Sequence, residues 1–307
     1  MSLALRLRQA SAELQSIAKH VGKNLVLAIP GASPLRRNLL GSAHWSGAYD
    51  ADWTARRSRQ LRQILDAYRD AWGDWSWLAG KTTLEIGSGP DIAIPFTMCA
   101  LGAGTAYASD VEPCGTVALP DHAMASYREL ASLYVHSNPT GPCSDAILSR
   151  VKLAFPVSAE QLEQTFARES IDLVVSTCSL QHVGDPSAAI RQIHTVLRPG
   201  GRMIHAVATE NHCCGDVQAD PLHHLIYPEW LWRAMFSHRV GHNRLRWFEW
   251  REIIEASGFV VDHVRIAVQL DRAYIRDARP RLSKRFREMT PEQLEPSYFI
   301  VACTKSR

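Results

Sequence analysis

Thr83-Leu84-Glu85-Ile86-Gly87-Ser88-Gly89-Pro90-Asp91 opens as a short apolar run, breaks into a glycine turn and gives way to a new helical pattern. The order is strand, tight loop, helix. Glycines at two alternate positions, Gly87 and Gly89, let backbone N–H groups come close to a ligand, and the N-terminus of the next helix offers its partial positive charge. The stretch reads as a ligand cradle. A dinucleotide site would place a third glycine at position 92, where helix and strand pack tightly beside a pyrophosphate, and this chain has Ile92. An NAD-dependent oxidoreductase fails on that residue.

Downstream, strand and helix patterns alternate, which predicts an α/β fold with a parallel sheet and helices on both faces. Strands are expected over Thr82 to Ile86, Thr105 to Ser109, Val151 to Phe155, Ile171 to Ser176, Met203 to Ala208, Phe259 to Val268 and Ser297 to Thr304. Between them lie helical patterns over Asp91 to Leu101, Asp121 to Val135, Ser158 to Arg168, Pro186 to Leu197 and Trp247 to Ser257. Ser137 to Pro142 is punctuated as a loop, and Arg198-Pro199-Gly200-Gly201 stops a helix cleanly.

Upstream, Leu3, Leu7, Ala10, Leu14, Ile17 and Val21 recur at steps of four and three and predict an amphipathic helix. The pattern lasts only about three heptads, which favours a helix laid across the main domain over a dimer seam. After Pro30-Gly31-Ala32-Ser33-Pro34 a second helix follows Asp52, with Leu61, Ile64, Leu65, Tyr68 and Trp72 on one face and Arg56, Arg57, Arg59 and Arg62 mostly on the others. Trp45, Trp53, Trp72, Trp75 and Trp77 crowd this region, either covering a ligand or packing the added helix onto the domain.

The 307 residues, 46% hydrophobic and 21% charged, describe an ordinary globular chain with ample material for a core. No run approaches the roughly 18 apolar residues of a membrane span. Seven cysteines, with no zinc-type or paired spacing apart from the adjacent Cys213 and Cys214, point to a reducing, cytoplasmic setting, and a net charge of +3 is too small to argue for nucleic acid. The basic run from Arg272 to Arg287 is diluted by Asp271, Asp277 and Glu288 and reads as a solvated helical face.

Three further stretches carry a family resemblance. Ile171-Asp172-Leu173-Val174-Val175-Ser176, Leu180-Gln181-His182-Val183-Gly184-Asp185-Pro186 and Val196-Leu197-Arg198-Pro199-Gly200-Gly201, taken with Glu85-Ile86-Gly87-Ser88-Gly89, resemble the ordered motifs of class I S-adenosylmethionine-dependent methyltransferases. The match runs from about Lys81 to Ala208 and resumes near the C-terminus. It implies a Rossmann-like, seven-stranded, mostly parallel sheet with helices on both faces and the last strand antiparallel between the fifth and sixth. It also implies a division into an N-terminal helical extension, residues 1–78, and a methyltransferase domain, residues 79–307, with an insertion of about 209–246 covering the acceptor site.

The resemblance implies S-adenosyl-L-methionine as cofactor, with Glu85, Gly87, Ser88 and Gly89 lining its amino acid end. Asp110 follows the first glycine by 23 positions, at the end of the second strand, where a carboxylate accepts hydrogen bonds from both ribose hydroxyls. Val111 adjoins it, and Glu112 is the competing acid. Ser158 and Ala159 match the position that reads the adenine edge, with a hydroxyl where the family often has a carboxylate. Cys178 is expected to be a small neighbour of the methionine end and not a nucleophile.

For the reaction, His182 after the fourth strand and His212 and Asp216 after the fifth are the acid–base candidates, because all three follow strands at the sheet edge where ligands bind. Asn211-His212-Cys213-Cys214-Gly215-Asp216, with His223 and His224, has no recognised zinc spacing, so no metal is expected. Ser176-Thr177-Cys178-Ser179 lacks the Asn/Asp-Pro-Pro-aromatic run of amino-directed nucleic acid methyltransferases. Asn243-Arg244-Leu245-Arg246, ahead of a helix ending at Ala256-Ser257-Gly258, resembles methyltransferases of bacterial glycan and natural-product pathways. The expected acceptor is a polar small molecule, saccharide or natural product methylated on oxygen, with no nucleic acid and no membrane span, and any protein partner a second copy in a homodimer. The alternatives are N- or C-methylation of a small metabolite, or a methyltransferase-like protein that binds cofactor without turnover.

Overall fold

The computed structural model of the chain describes residues 3–29, 50–89, 91–111, 119–134, 143–212, 219–236 and 242–306. Seven strands form one sheet in the order β3-β2-β1-β4-β5-β7-β6. They are β1 (Thr82–Ile86), β2 (Thr105–Ser109), β3 (Val151–Ala154), β4 (Ile171–Thr177), β5 (Leu197–Ala208), β6 (Phe259–Gln269) and β7 (Pro296–Lys305). The first five are parallel to one another, and β7 runs antiparallel between β5 and β6. This is the Rossmann-like arrangement that the family resemblance implies. The chain leaves β1 toward β2 and β3, then returns to the other side at β4. Such a reversal opens a crevice at the carboxyl ends of β1 and β4, where ligands of open α/β sheets bind.

The larger helices are α1 (Leu3–Leu27), α2 (Ala51–Trp72), α3 (Ala93–Ala100), α4 (Asp121–Ser132), α5 (Ser144–Leu148), α6 (Pro186–Val196), α7 (Glu229–Phe236) and α8 (Trp247–Ala256). One core joins α2, α3 and α4 to one sheet face, and the other joins α6 and α8 to the opposite face. Helix α2 starts where the Asp50 carboxylate accepts the Trp53 N–H at 2.6 Å and ends at Gly73, whose φ is +85°. Its Leu61, Ile64, Leu65 and Tyr68 are fully buried with Phe96, Ala106 and Ile204. Burying such side chains contributes about 1.5–3 kcal/mol each, so α2 is held by the main core and not by its own propensity.

Helix α1 docks elsewhere. Its Ile17 and Val21 pack on Tyr227, Trp232 and Met235 of the insertion, and the Asn24 amide donates to the Ala234 carbonyl at 2.9 Å. The segment after β6 folds into three short helices, α9 (Arg272–Ala278), α10 (Lys284–Arg287) and α11 (Pro291–Leu294), which share a small apolar core with Leu222 and Leu225. The arginines expected on a solvated face there are tied to carboxylates, Arg272 to Glu295, Arg281 to Asp220 and Arg285 to Glu249. No described helix is long and apolar enough to cross a membrane.

Two expected elements differ in extent. The pattern over Ser158 to Arg168 folds only as a tight turn, Ala159–Gln164, with Gln161 at φ −142° inside it. Glu160 explains the shortfall, because its carboxylate reaches across to accept the Gly184 N–H at 2.9 Å and draws the turn toward the loop after β4. Strand β5 begins at Leu197, six residues before Met203, because Leu197 already pairs with Ile171 before the register slips to Leu173 and Arg202. The Pro199-Gly200-Gly201 stretch is the irregular part of that strand.

Candidate active site

At the end of β1 the chain turns sharply, with Gly87 at φ +71° and Gly89 at φ +63°. The Gly87 and Ser88 N–H groups both donate to the Ser109 carbonyl, at 2.8 and 3.0 Å, and the Gly89 N–H donates to an Asp110 carboxylate oxygen at 3.0 Å. Asp110 therefore stands beside the glycine turn, on the neighbouring strand end. Gly87 meets a second constraint, since a Cβ there would lie 2.3 Å from the Ser179 Cβ. Ser179 in turn donates to the Ile86 carbonyl at 2.8 Å and so joins the loop after β4 to the turn after β1.

A cavity of about 270 Å3 opens against this turn, lined by Gly87, Ser88 and Gly89 on one side, Thr177 and Cys178 on a second, and Trp53, Arg57 and Gln60 of α2 on a third. Behind Arg57 of that lining Glu85 is 1% exposed, with Oε1 accepting from Arg57 at 2.9 Å and a buried Oε2 that has no hydrogen-bond partner. Burial pushes the Glu85 carboxyl up, against the opposing pull of Arg57. Asp91, equally buried, accepts from Trp53 Nε1 at 3.0 Å, Arg57 Nε at 3.3 Å and the Ala93 N–H at 3.0 Å, so it also satisfies the first N–H of α3. Cys178 occupies the left-handed region at φ +53°, an uncommon place for a residue with a side chain. Burial raises its thiol, in keeping with a neutral neighbour and not a nucleophile.

The tryptophans divide between the two roles open to them. Trp53 faces the cavity, whereas Trp75 stacks on Tyr68 at 3.7 Å, Trp72 donates to Asp262 at 3.0 Å and Trp77 lies 4.1 Å from the Arg202 guanidinium. Trp45 lies outside the described residues, as do Glu112, Cys213, Cys214 and Asp216. Ser158 donates to the Glu160 carboxylate, Ala159 is buried, and Val111 is 37% exposed at the rim beyond Asp110.

His182 and His212 come together at the carboxyl ends of β4 and β5, their ring centroids 6.1 Å apart. Two buried histidines sit beneath them, His242, which sequence reasoning left aside, and His224, which it weighed only as part of a metal cluster. His242 lies 5.8 Å from His212 and 6.2 Å from His182, and His224 lies 5.0 Å from His242. His242 donates through Nε2 to the Ala208 carbonyl at 2.8 Å and accepts the Arg244 N–H at Nδ1 at 3.0 Å, so both its nitrogens are engaged. Desolvation and the neighbouring His182 lower His212 to about 4, although the residue is exposed. It is a neutral imidazole at neutral pH. Among the described residues no group of three or more His, Cys, Asp or Glu side chains is placed to hold a metal ion.

Residues 242–246 form a strap over this edge. Asn243 donates its side-chain amide to the Leu180 carbonyl and its N–H to the Gln181 carbonyl, at 2.8 and 2.7 Å, and so positions the turn that carries His182. Arg246, fully buried, donates to the carbonyls of Thr209, Leu294 and Pro296 at 2.6–2.7 Å. Arg244, 1% exposed, reaches the carbonyl of Tyr227 at 2.7 Å and pairs with Glu229.

A family model described as a methyltransferase domain matches residues 53–264, which spans the sheet from before β1 into β6 and includes α2. The chain belongs to the methyltransferase domain family. It is an S-adenosylmethionine-dependent methyltransferase, with S-adenosylmethionine as its cofactor. No curated protein sequence matches the methyltransferase. Among solved structures it is similar to an S-adenosylmethionine-dependent methyltransferase from Mesorhizobium loti, at 18% identity and TM-score 0.41, covering 83% of this chain and 98% of that one. A geranyl diphosphate methyltransferase in complex with the cofactor aligns at 14% identity and TM-score 0.45, over 92% of this chain and 94% of the other. The [4+2]-cyclase SpnF aligns at 15% identity and TM-score 0.45, over 85% of each.

Two observations test whether the residues fit the cofactor. The unpartnered Glu85 Oε2 offers an acceptor to an ammonium group, and the glycine turn brings backbone close to a cavity that a side chain at position 87 would disturb. Both suit the amino acid end of the molecule.

Proposed function

We propose that this methyltransferase acts on an oxygen of a polar small molecule, saccharide or natural product. Glu85 would take the cofactor's ammonium, Gly87, Ser88 and Gly89 would frame its amino acid end, and Cys178 would stand beside the methionine chain. Asp110, with Val111 next to it, would hold the ribose, and Ser158 and Ala159 would face the adenine. When bound, the cofactor supplies a methyl group activated by its sulfonium. What remains for the chain is to align the acceptor and to take its proton, and alignment alone is worth many powers of ten.

The observation that carries the reading is the pair of imidazoles, His182 and His212, facing each other 6.1 Å apart at the carboxyl edge of the sheet. A hydroxyl lying between them would meet a proton acceptor on either side. His212, lowered to about 4, is ready to accept at neutral pH, and Asn243 fixes the turn that aims His182. An oxygen acceptor needs such a base, because its proton must leave as the new bond forms.

The test is turnover and cofactor affinity in His182→Gln and His212→Gln, assayed against a library of polyols, glycosides and phenols with product masses read out. The critical variant should lose about 10²–10⁴-fold in turnover with cofactor affinity nearly unchanged. Normal turnover and an unaltered pH profile in both variants would remove the histidines from the mechanism. Methyl found on nitrogen or carbon, or tight cofactor binding with no product from any acceptor, would overturn the assignment to oxygen.

A further inference from the structure

We propose that Arg57 binds the carboxylate of the cofactor's amino acid end, which makes helix α2 a structural wall of the cofactor site. The inference rests on the methyltransferase reading of the cavity and adds to it a residue that lies outside every motif of the sheet. A methionine moiety carries two charged ends, an ammonium and a carboxylate. The glycine turn and Glu85 provide for the first. The second needs a cation or a set of N–H donors, and the cavity lining has two cationic side chains among the described residues, Arg56 and Arg57. Arg56 is exposed, with its guanidinium 6.0 Å from the Trp53 ring. Arg57 is 8% exposed and lies against the same cavity as Gly87, Ser88 and Gly89.

The donors of Arg57 are arranged for this. Its Nε–H goes to Asp91 at 3.3 Å, one Nη2–H to Glu85 at 2.9 Å, and Nη1 to Thr177 at 2.5 Å, with a longer contact to Gln60 at 3.4 Å. A guanidinium has five N–H groups in a planar fork. The second Nη2–H has no partner among the described residues, and the Gln60 contact is weak enough to yield. Two donors are thus available from one planar group, the geometry that recognises a carboxylate in bidentate fashion. Glu85 and Asp91 hold the fork in place, and Trp53 locks Asp91 from above. Trp53, Arg57 and Gln60 recur at helical spacing, so α2 presents one stripe to the cofactor while Leu61, Ile64, Leu65 and Tyr68 anchor it in the core. On this proposal the functional boundary of the cofactor domain lies before Asp50 and not at residue 78.

The experiment is calorimetric titration of wild type, Arg57→Gln and Arg57→Lys with S-adenosylmethionine and with decarboxylated S-adenosylmethionine, which keeps every other group. Wild type should prefer the carboxylate-bearing ligand at least tenfold. Arg57→Gln should bind S-adenosylmethionine about 10–100-fold more weakly and the decarboxylated ligand within a few-fold of wild type, and Arg57→Lys, which keeps the charge and loses the fork, should fall between. Equal losses for both ligands would make Arg57 a structural residue and overturn the proposal, as would no loss for either. If circular dichroism shows that Arg57→Gln does not fold, the wild-type preference and its reduction in Arg57→Lys decide, and no preference in wild type overturns the proposal. A wild-type protein that binds neither ligand would instead count against the cofactor reading itself.

Discussion

Replacing Gly87 by alanine tests the tightest point of the site. Two costs combine there. At φ +71° a residue with a Cβ is strained by about 1–2 kcal/mol, and the new methyl would lie 2.3 Å from the Ser179 Cβ and 2.9 Å from its hydroxyl. Neither neighbour is a flexible chain end, so the loop after β4 must shift and the Ser179 bond to the Ile86 carbonyl is endangered. Overpacking of this kind adds about 1–3 kcal/mol. Gly87→Ala should therefore lose about 2–5 kcal/mol in urea unfolding and bind S-adenosylmethionine more weakly. The steric part is separable. In a Ser179→Gly background the clash disappears while the strain stays, so Gly87→Ala should cost only about 1–2 kcal/mol there. Equal costs in the two backgrounds would refute the assigned contact, and an undiminished stability of Gly87→Ala would refute the strained turn altogether.

Asp110→Ala should weaken S-adenosylmethionine binding by about 1–3 kcal/mol by calorimetry, since ribose hydroxyls and the Gly89 N–H lose a charged acceptor; normal binding here with a defect in Glu112→Ala would transfer the role. Acid should destabilise the chain early. His205, lowered to about 3 by burial, and His224 and His242, also lowered by burial, are neutral in the fold and protonate near their ordinary range once unfolded, so stability rises with pH up to about 6.5 and falls below it. At pH 5 each fully buried imidazole accounts for about 2 kcal/mol, and a flat urea midpoint between pH 7 and 5 would contradict this. His223, raised chiefly by its hydrogen bond to Asp220, works in the opposite sense, its contribution present below its ordinary pKa and lost as pH rises through the raised one. Truncation before Ala51 should leave the sheet folded while exposing Tyr227, Trp232 and Met235, with loss of solubility or acceptor binding; unchanged melting temperature, solubility and activity would mark α1 as an independent appendage.

The strands were legible because their apolar runs end in glycine, proline or acidic punctuation. The antiparallel seventh strand was not legible from period or composition, and only the family resemblance implied its place between the fifth and sixth. His182 and His212 were within reach because strand ends at one sheet edge converge whatever the loops between them do. Arg57 was not. It sits in a run of arginines whose neighbours face water, and helical spacing does not say which member a distant pair of carboxylates will draw inward. Arg246 was hidden for a related reason. A buried guanidinium answered by backbone carbonyls has no charged partner to betray it in sequence, and its acceptors at Thr209, Leu294 and Pro296 are scattered along the chain. The tight turn at Ala159–Gln164 was misjudged in length because Glu160, an ordinary helix former, is recruited by a tertiary contact to Gly184.

The strap also bears on how the protein breathes. Arg246 joins the carbonyl that opens the insertion, at Thr209, to the carbonyls that close the last short helix, at Leu294 and Pro296. Opening the roof at that hinge would strand a guanidinium in an apolar interior, a penalty of several kcal/mol. The amides around Thr209 and Ser297 should then exchange their hydrogens only when the sheet itself opens, so roof and sheet form one cooperative unit. With the insertion read as the cover of the acceptor site, acceptor entry would use motions outside the strap, and substitutions that broaden acceptor choice should be tolerated best where the insertion is furthest from Arg246.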